Sequence, residues 1–473
     1  MMWLSLLGLA FAESPKSVAN STGEVRLLGT LPPNFIVDSE GTEVGQGFVM
    51  SSRLRAGVHI DKSGWEFVFG GDLLSGQFAG DPWDLAGDSH RLHPETIGLF
   101  SPYNYAIRDA KIISQFGPIQ WQLGLSTTHW GLGLVANDGG QKLDFGTTDY
   151  GDRVFRTSIA GKLADDWAFY IAGDWVIEDD LGAWSEGQRA IQGTLGVQWL
   201  PTETDKMGFL GVYRDQVEAD QISGFSGFLL DVFATTTQSF QEFEITTGFE
   251  GAYMHGVTTR FTNRNNPNGL GIRSFGALSK TTISYRKKAR ISIDGGFASG
   301  DGDPSDETLS SFAFDRDCNA GALLFDYHQA AREVALYNLL TDPEHSGQPP
   351  DGVDSLVTEG AIRQALYVNP ILGYRPLPWM EIKLGSLFAW STVPISQGFE
   401  TYRNGGVAVN HLGALTEGYF MGAEVNWAVT VHRELAKTTA GHLMLEGAHL
   451  APSIDLGGGP PLHLFRIKTI FDW

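Results

Sequence analysis

Cysteine is nearly missing: Cys318 stands alone among 473 residues, so the chain holds no internal disulfide and no thiolate metal cage. Asp315 and Asp317 beside it disfavour a reactive thiolate, which marks Cys318 as an incidental loop residue. Charge is scarce as well, at 19 % of residues, and it leans acidic, 33 Lys and Arg against 55 Asp and Glu, a formal net charge of −22. That sign excludes nucleic acid and anionic lipid surfaces as partners, since both would repel the chain. Beyond residue 12 no run approaches the roughly 20 apolar residues of a membrane-crossing helix, and the mean hydropathy is only −0.11. Any membrane span must therefore be made of strands. The sequence also lacks the internal repeat that builds a propeller or β-helix, and it has no phosphate loop, zinc pattern, dinucleotide fingerprint or Gly-x-Ser-x-Gly motif. These absences argue against a cofactor and against catalysis.

Glycine and aromatic side chains are what it has: 59 glycines and 12 % aromatics suit many strands joined by tight turns and rimmed by aromatic girdles. Residues 1–12 form an apolar block closing on Ala10-Phe11-Ala12, the small-x-small pattern of a signal peptide. Export follows, with residues 13–23 as a periplasmic lead and 24–473 as one barrel domain.

Residues 462–473 show the pattern best. His463, Phe465, Ile467, Thr469, Phe471 and Trp473 fall on one side of an extended chain, and Arg466, Lys468 and Asp472 on the other. Lipid outside and a wet lumen inside satisfy both faces. Residues 166–177, 379–390 and 419–432 repeat the alternation. Short turns at 61–64, 117–118, 164–165, 201–205, 238–239, 286–289, 375–378 and 433–437 alternate strictly with longer polar segments at 79–102, 133–150, 179–188, 219–224, 255–269, 299–359, 392–418 and 451–461. Brief periplasmic turns and long external loops are the habit of outer-membrane barrels. The fold class expected is all-β, a transmembrane antiparallel β-barrel of about 18 strands, beginning with a first strand over 24–36. Sixteen strands follow if Pro32-Pro33 breaks that strand and one neighbour fails with it. The longest loop, 299–359, carries a strand-like piece at 322–328 and a helix at 329–340, and is expected to lie outside or fold inward as a constriction.

The most distinctive block runs over 108–156: Arg108-Asp-Ala-Lys111, Phe116-Gly-Pro118, His129-Trp-Gly-Leu-Gly133, Asn137-Asp-Gly139 and Asp149-Tyr-Gly-Asp-Arg153. It resembles porin-like and alginate-export-type bacterial barrels, and more closely an uncharacterised outer-membrane barrel family of myxobacteria that pairs similar His-Trp-Gly-Leu-Gly and Asp-Tyr-Gly-Asp motifs. Ala298-Ser-Gly-Asp301, Gly422-Ala-Glu-Val425 and Glu446-Gly-Ala-His-Leu-Ala-Pro452 extend the resemblance. Where those relatives carry Gly-Arg-x-Pro-Ser, this chain has Gly124-Leu-Ser-Thr-Thr128 and so lacks a lumen arginine. The aromatic carboxy-terminus, Phe471 and Trp473, is similar to the signal such barrels show to the barrel assembly machinery.

Candidate site residues follow from the faces. Arg108, Lys111, Arg153 and Arg156 are expected to line a constriction. Lumen-side Asp166, Asp174, Asp294, Glu381, Glu424 and Glu446, opposed by Lys383, Arg466 and Lys468 together with Arg108, are expected to set up a transverse field that orders polar permeants. Asp301, Asp303, Asp306 and Glu307 offer hard oxygens for Ca²⁺, without the full spacing of a calcium loop. Three functions remain open: a passive outer-membrane channel for a polar solute or polysaccharide, a plugged barrel serving as a surface structural or polysaccharide-anchoring protein, and a barrel-embedded hydrolase, which the scattered histidines support least.

Overall fold

The computed structural model describes residues 18–473 apart from 38–40, 42, 45–46, 63, 81–104, 141–142, 149–150, 343–357, 359, 397–400, 402–403, 406, 411, 417 and 437. The expected signal segment lies outside the described residues. Among those described, eighteen long strands form one closed antiparallel sheet. They are β1 (Val18–Leu31), β2 (Val49–Lys62), β3 (Trp65–Gly80), β4 (Tyr105–Phe116), β5 (Ile119–Thr127), β6 (Arg153–Ala164), β7 (Trp167–Asp179), β8 (Arg189–Trp199) and β9 (Lys206–Val217). The second half comprises β10 (Gly224–Phe240), β11 (Phe243–Thr258), β12 (Leu270–Tyr285), β13 (Ala289–Ala298), β14 (Ala365–Leu377), β15 (Met380–Ser391), β16 (Phe420–Ala436), β17 (Thr439–Pro452) and β18 (Leu462–Asp472).

Closure is made by β1 against β18, in register from Glu24 opposite Asp472 to Leu31 opposite Phe465, with Trp473 and Gly23 exchanging both backbone hydrogen bonds at 3.0 Å. A closed sheet has no unpaired edge, the condition for crossing hydrocarbon with strands. The first strand starts at Val18 and stops at Leu31, not at residue 36. Pro32 and Pro33 have no N–H to give the ladder, and Phe35–Ile36 instead pairs with Glu43–Val44 in a small hairpin of the first loop. The turn expected at 238–239 falls later, because β10 and β11 stay paired out to Phe240 opposite Phe243.

Outward positions carry bare apolar side chains: Ile171, Ile191, Leu195, Phe228, Phe249 and Ile293 are all more than two-fifths exposed. Aromatic pairs gather at both rims. At the short-turn end Trp167 meets Trp199 (6.5 Å) and Phe243 meets Tyr285 (5.0 Å); at the long-loop end Tyr213 meets Phe228 (4.8 Å) and Phe275 meets Phe297 (5.9 Å). Two girdles bounding an apolar band are what a bilayer with two polar surfaces requires.

The core sits inside the barrel. Loop 299–364 contributes Phe312, Phe314, Leu323, Leu324 and Phe325, and loop 128–152 contributes Leu134 and Phe145; both pack on inward wall residues such as Leu278, Ile371, Leu387, Leu450 and Leu464. Each such side chain contributes about 1.5–3 kcal/mol on leaving water. The strand-like piece at 322–328 forms a π-helical turn, Leu324–Gln329, that runs into helix α1, Ala330–Thr341. Its Ala-, Glu-, Arg- and Leu-rich sequence favours a helix.

Candidate functional site

Carboxylates on the wall hold both inward loops by their backbone amides. Gly131 has φ +56, and a Cβ there would run into the carboxylate of Glu250. Only glycine allows the turn that presents the Leu132 and Leu134 amides to Glu250, the latter at 3.3 Å. Trp130 is buried against Phe233 and donates its indole N–H to Asp231 at 2.7 Å. The His-Trp-Gly-Leu-Gly motif is thus an anchor inside the barrel, and Trp130 belongs to no girdle. Loop 299–364 repeats the device with Glu424, whose oxygens accept from the amides of Ala322 (2.7 Å), Leu323 (3.2 Å) and Leu324 (2.7 Å) around Gly321, φ +75.

The two loops also bind each other. Asp315 accepts from the Asn137 amide at 2.8 Å and donates its own amide to the Leu134 carbonyl at 2.9 Å, while Asp317 accepts from the Gly151 amide at 2.7 Å. Burial first, then the nearby charges of Asp180, Asp152 and Asp317, push the Asp315 carboxyl well above the usual carboxylate range. Asp152 is raised likewise, by burial and then by Asp179, Asp180 and Asp317. A carboxyl whose folded pKa is raised gives stability that is complete below its unfolded value, about 3.9, and lost as pH climbs through the folded value. Contact between the loops should therefore weaken as pH rises from about 4, the neighbouring Arg316 and Arg214 moderating the effect. Single-channel current noise should grow with pH in the native protein and less steeply in Asp315→Asn, where Asp152 alone carries the effect; equal pH profiles in the two would refute this.

Loop 128–152 reaches across the whole lumen. Asp144 lies with Arg290 and, at 2.8 Å, with Lys383. Burial opposes its charge, but the hydrogen bond from Arg290 and the charges of Lys383 and Arg290 outweigh that and hold the carboxyl at about 2. Next, the Gly146 amide donates to Glu446 at 3.0 Å and the Gly146 carbonyl accepts from Lys468 at 2.9 Å. The Thr148 carbonyl then accepts from Arg26 and Arg53, both at 3.2 Å.

The expected site residues sort themselves against this frame. Arg156 and Asp174 form a bidentate buried pair, 2.7 Å at each contact, on neighbouring β6 and β7. Arg466 and Glu446 pair at 3.1 Å on β18 and β17. Arg108 lies 3.6 Å from Asp72 and donates to the Asp138 carbonyl. Lys111 turns to Asp109 (2.7 Å) and Ser126 (3.1 Å). Asp294 stands opposite Lys280, and Glu381 meets Arg290 (3.5 Å) and Arg375 (3.6 Å). Charges thus meet neighbour to neighbour along the wall more than across the lumen. Two expectations need correcting. Arg153 pairs with Glu178 at the external ends of β6 and β7; three residues from Arg156, it falls on the other face of a strand with a period of two. Asp166 is exposed in the short turn between β6 and β7, since the strand begins only at Trp167. The loop acids also fail as a calcium cage: Asp303 accepts from Ser305 and Asp306 from Thr308, each turned back on its own backbone, and among the described residues no three ligating side chains converge.

Sequence reasoning missed Arg26, Arg53 and Arg55, whose cluster on β1 and β2 is balanced by Glu24 and Asp72. The Arg53-Leu-Arg55 spacing of two was the available signal. It also missed the cavity, about 610 Å³, between the loops and the external halves of β6 to β12. Arg156, Arg214, Arg316, Asp179 and Asp180 edge it, and Trp130, Leu210, Leu229, Met254 and Phe314 supply an apolar side.

No family model matches the chain, and no curated protein is similar to it. Solved structures are. OccAB1 of Acinetobacter baumannii has a TM-score of 0.53 at 10 % identity, with 96 % of each chain covered. OprD of Pseudomonas aeruginosa has 0.52 at 9 %, covering 98 % of this chain and 97 % of its own. A BenF-like porin from Pseudomonas fluorescens Pf-5 has 0.50 at 9 %, covering 96 % and 98 %. The chain has a porin-like outer-membrane barrel fold. At such identities the likeness extends to architecture and says nothing of individual side chains.

Proposed function

We propose that this porin-like barrel lets a small polar solute diffuse through the outer membrane, without cofactor or turnover. The observation that carries this reading is the charged cavity of about 610 Å³ inside the barrel. Sites for single small molecules enclose roughly 300–1,000 Å³, so the space suits a solute better than a polysaccharide strand, which would need a continuous wide bore. A BenF-like porin shares the architecture, which agrees with passage. The finer kinship suggested by the sequence motifs would have a physical meaning: a myxobacterial or alginate-export-type barrel with the His-Trp-Gly-Leu-Gly motif would share the inward loop that this motif anchors. Folded protein in planar bilayers should give discrete conductance steps. Their absence would sink the channel reading.

The two inward loops, which hold much of the buried core, favour a second reading, a plugged barrel with a structural or binding role at the cell surface. Deleting residues 315–350 separates the two: a plug removed turns a silent barrel conductive, whereas a channel already conducts before the deletion.

A further inference from the structure

At the short-turn mouth, four consecutive strands each bring a titratable side chain to the lumen side: Glu381 on β15, His432 on β16, His442 on β17 and Asp472 on β18. His432 stands directly opposite His442, and their Nδ1 atoms are 2.6 Å apart with the rings nearly perpendicular, at 82°. Asp472 Oδ1 lies 3.4 Å beyond, on the Nε2 side of His442. His432 Nε2, His442 Nε2 and Asp472 Oδ1 are all buried without a hydrogen-bond partner. A polar row left so incompletely satisfied is costly in a barrel wall.

We propose that His432 and His442 are a two-point site for a divalent transition-metal ion of the Zn²⁺, Ni²⁺ or Cu²⁺ class, with Asp472 orienting His442. Neutral imidazole is the form that binds such ions, and its second nitrogen is commonly turned to a carboxylate that fixes the tautomer. Asp472 is placed for that: a proton on His442 Nε2 faces it, leaving the Nδ1 lone pair directed at His432. Without metal, His432 Nδ1–H donates to that lone pair. With metal, the His432 proton moves to Nε2 and both Nδ1 lone pairs converge on one point, with no net release of protons. Metal–nitrogen bonds of about 2.0–2.1 Å put two such nitrogens roughly 3.0–3.4 Å apart, so the rings need to part by less than about 1 Å. Water completes the coordination, and Glu381, already balanced by Arg375 and Arg290, adds negative potential nearby without joining it.

A second cross-strand pair shows why the first is special. His449 and His463, outward-facing on β17 and β18, also have Nδ1 atoms 2.7 Å apart. There the Trp427 indole donates to His449 Nε2 at 3.2 Å, which confines the His449 proton to Nδ1 and commits it to His463. That pair is closed as a hydrogen bond and serves as the control.

The test is Cu²⁺ titration of the intact barrel in detergent, without a histidine tag, followed by electron paramagnetic resonance, with Zn²⁺ competing. One Cu²⁺ per chain with a two-nitrogen hyperfine pattern is expected. Affinity should fall at least tenfold in His432→Asn and in His442→Asn, about tenfold in Asp472→Asn, and not at all in the double variant His449→Asn with His463→Asn. No saturable binding, or binding lost with His449 and His463 instead, overturns the proposal. The native spectrum decides on its own where a variant does not assemble, because a pattern with fewer than two nitrogens also overturns it.

Discussion

Replacing Glu424 by alanine should release loop 299–364 from the lumen and raise the single-channel conductance severalfold. Glu424 is completely buried, and its carboxylate satisfies three amides at the start of the π-helical turn. Alanine leaves those donors in an apolar interior, each at a cost of about 1–3 kcal/mol. The loop regains their solvation only by leaving. It then exposes Leu323, Leu324 and Phe325, now wholly buried, so the released state will be populated alongside the docked one and traces should show two conductance levels. Released loop also offers Arg316, sheltered in the native barrel, to trypsin. Glu424→Gln keeps one carbonyl oxygen and should fall between the two. Native conductance and native protease resistance in Glu424→Ala would show that packing alone holds the loop.

The second large effect is on stability. Arg466 and Glu446 pair at 3.1 Å with each side chain only 1 % exposed. Removing one member of a buried ion pair costs about 3–5 kcal/mol, because the partner keeps its charge without compensation. Arg466→Met should therefore lower the unfolding free energy by about that much in denaturant titrations of vesicle-embedded protein. Adding Glu446→Gln removes the stranded charge while keeping an oxygen for the Gly146 amide, bonded at 3.0 Å in the native protein. The double variant should recover most of the loss. Equal losses in single and double variants would assign the effect to the Arg466 contacts with Thr30 and Tyr327 instead.

Much of the barrel was readable from the chain because a period of two exposes every strand whose faces differ in solvent. Phe465 and Ile467 against Arg466 in β18, or Trp175 against Asp174 in β7, fix both the strand and its inward side. The alternation of short and long connections supplied direction and count. A boundary failed where a proline, invisible to periodicity, intervened: Pro32 cut β1 short. Arg153 was misplaced although the same period of two puts it, three residues from Arg156, on the other face. The site was harder. That Glu250, Glu424 and Glu446 face inward was legible for the last two, yet their work is to hold amides from loops 100 to 300 positions away. Backbone amides carry no sequence signal, so only the glycines that permit the approach, Gly131 and Gly321, could have hinted at it.

The seam between β1 and β18 has a consequence for how the molecule is made. Arg26 of β1 and Lys468 of β18 grip carbonyls only two residues apart in loop 128–152, those of Thr148 and Gly146. The same short segment therefore touches both strands that must meet last, about 440 residues apart in the chain and separated by the slowest kind of encounter a polypeptide makes. Swallowed before the ring shuts, it is a mandrel on which the two ends align; a barrel that sealed first would have to thread it in afterwards through its own mouth. Loop 128–152 is thus placed to align the two ends of the wall where it closes as well as to fill part of the lumen.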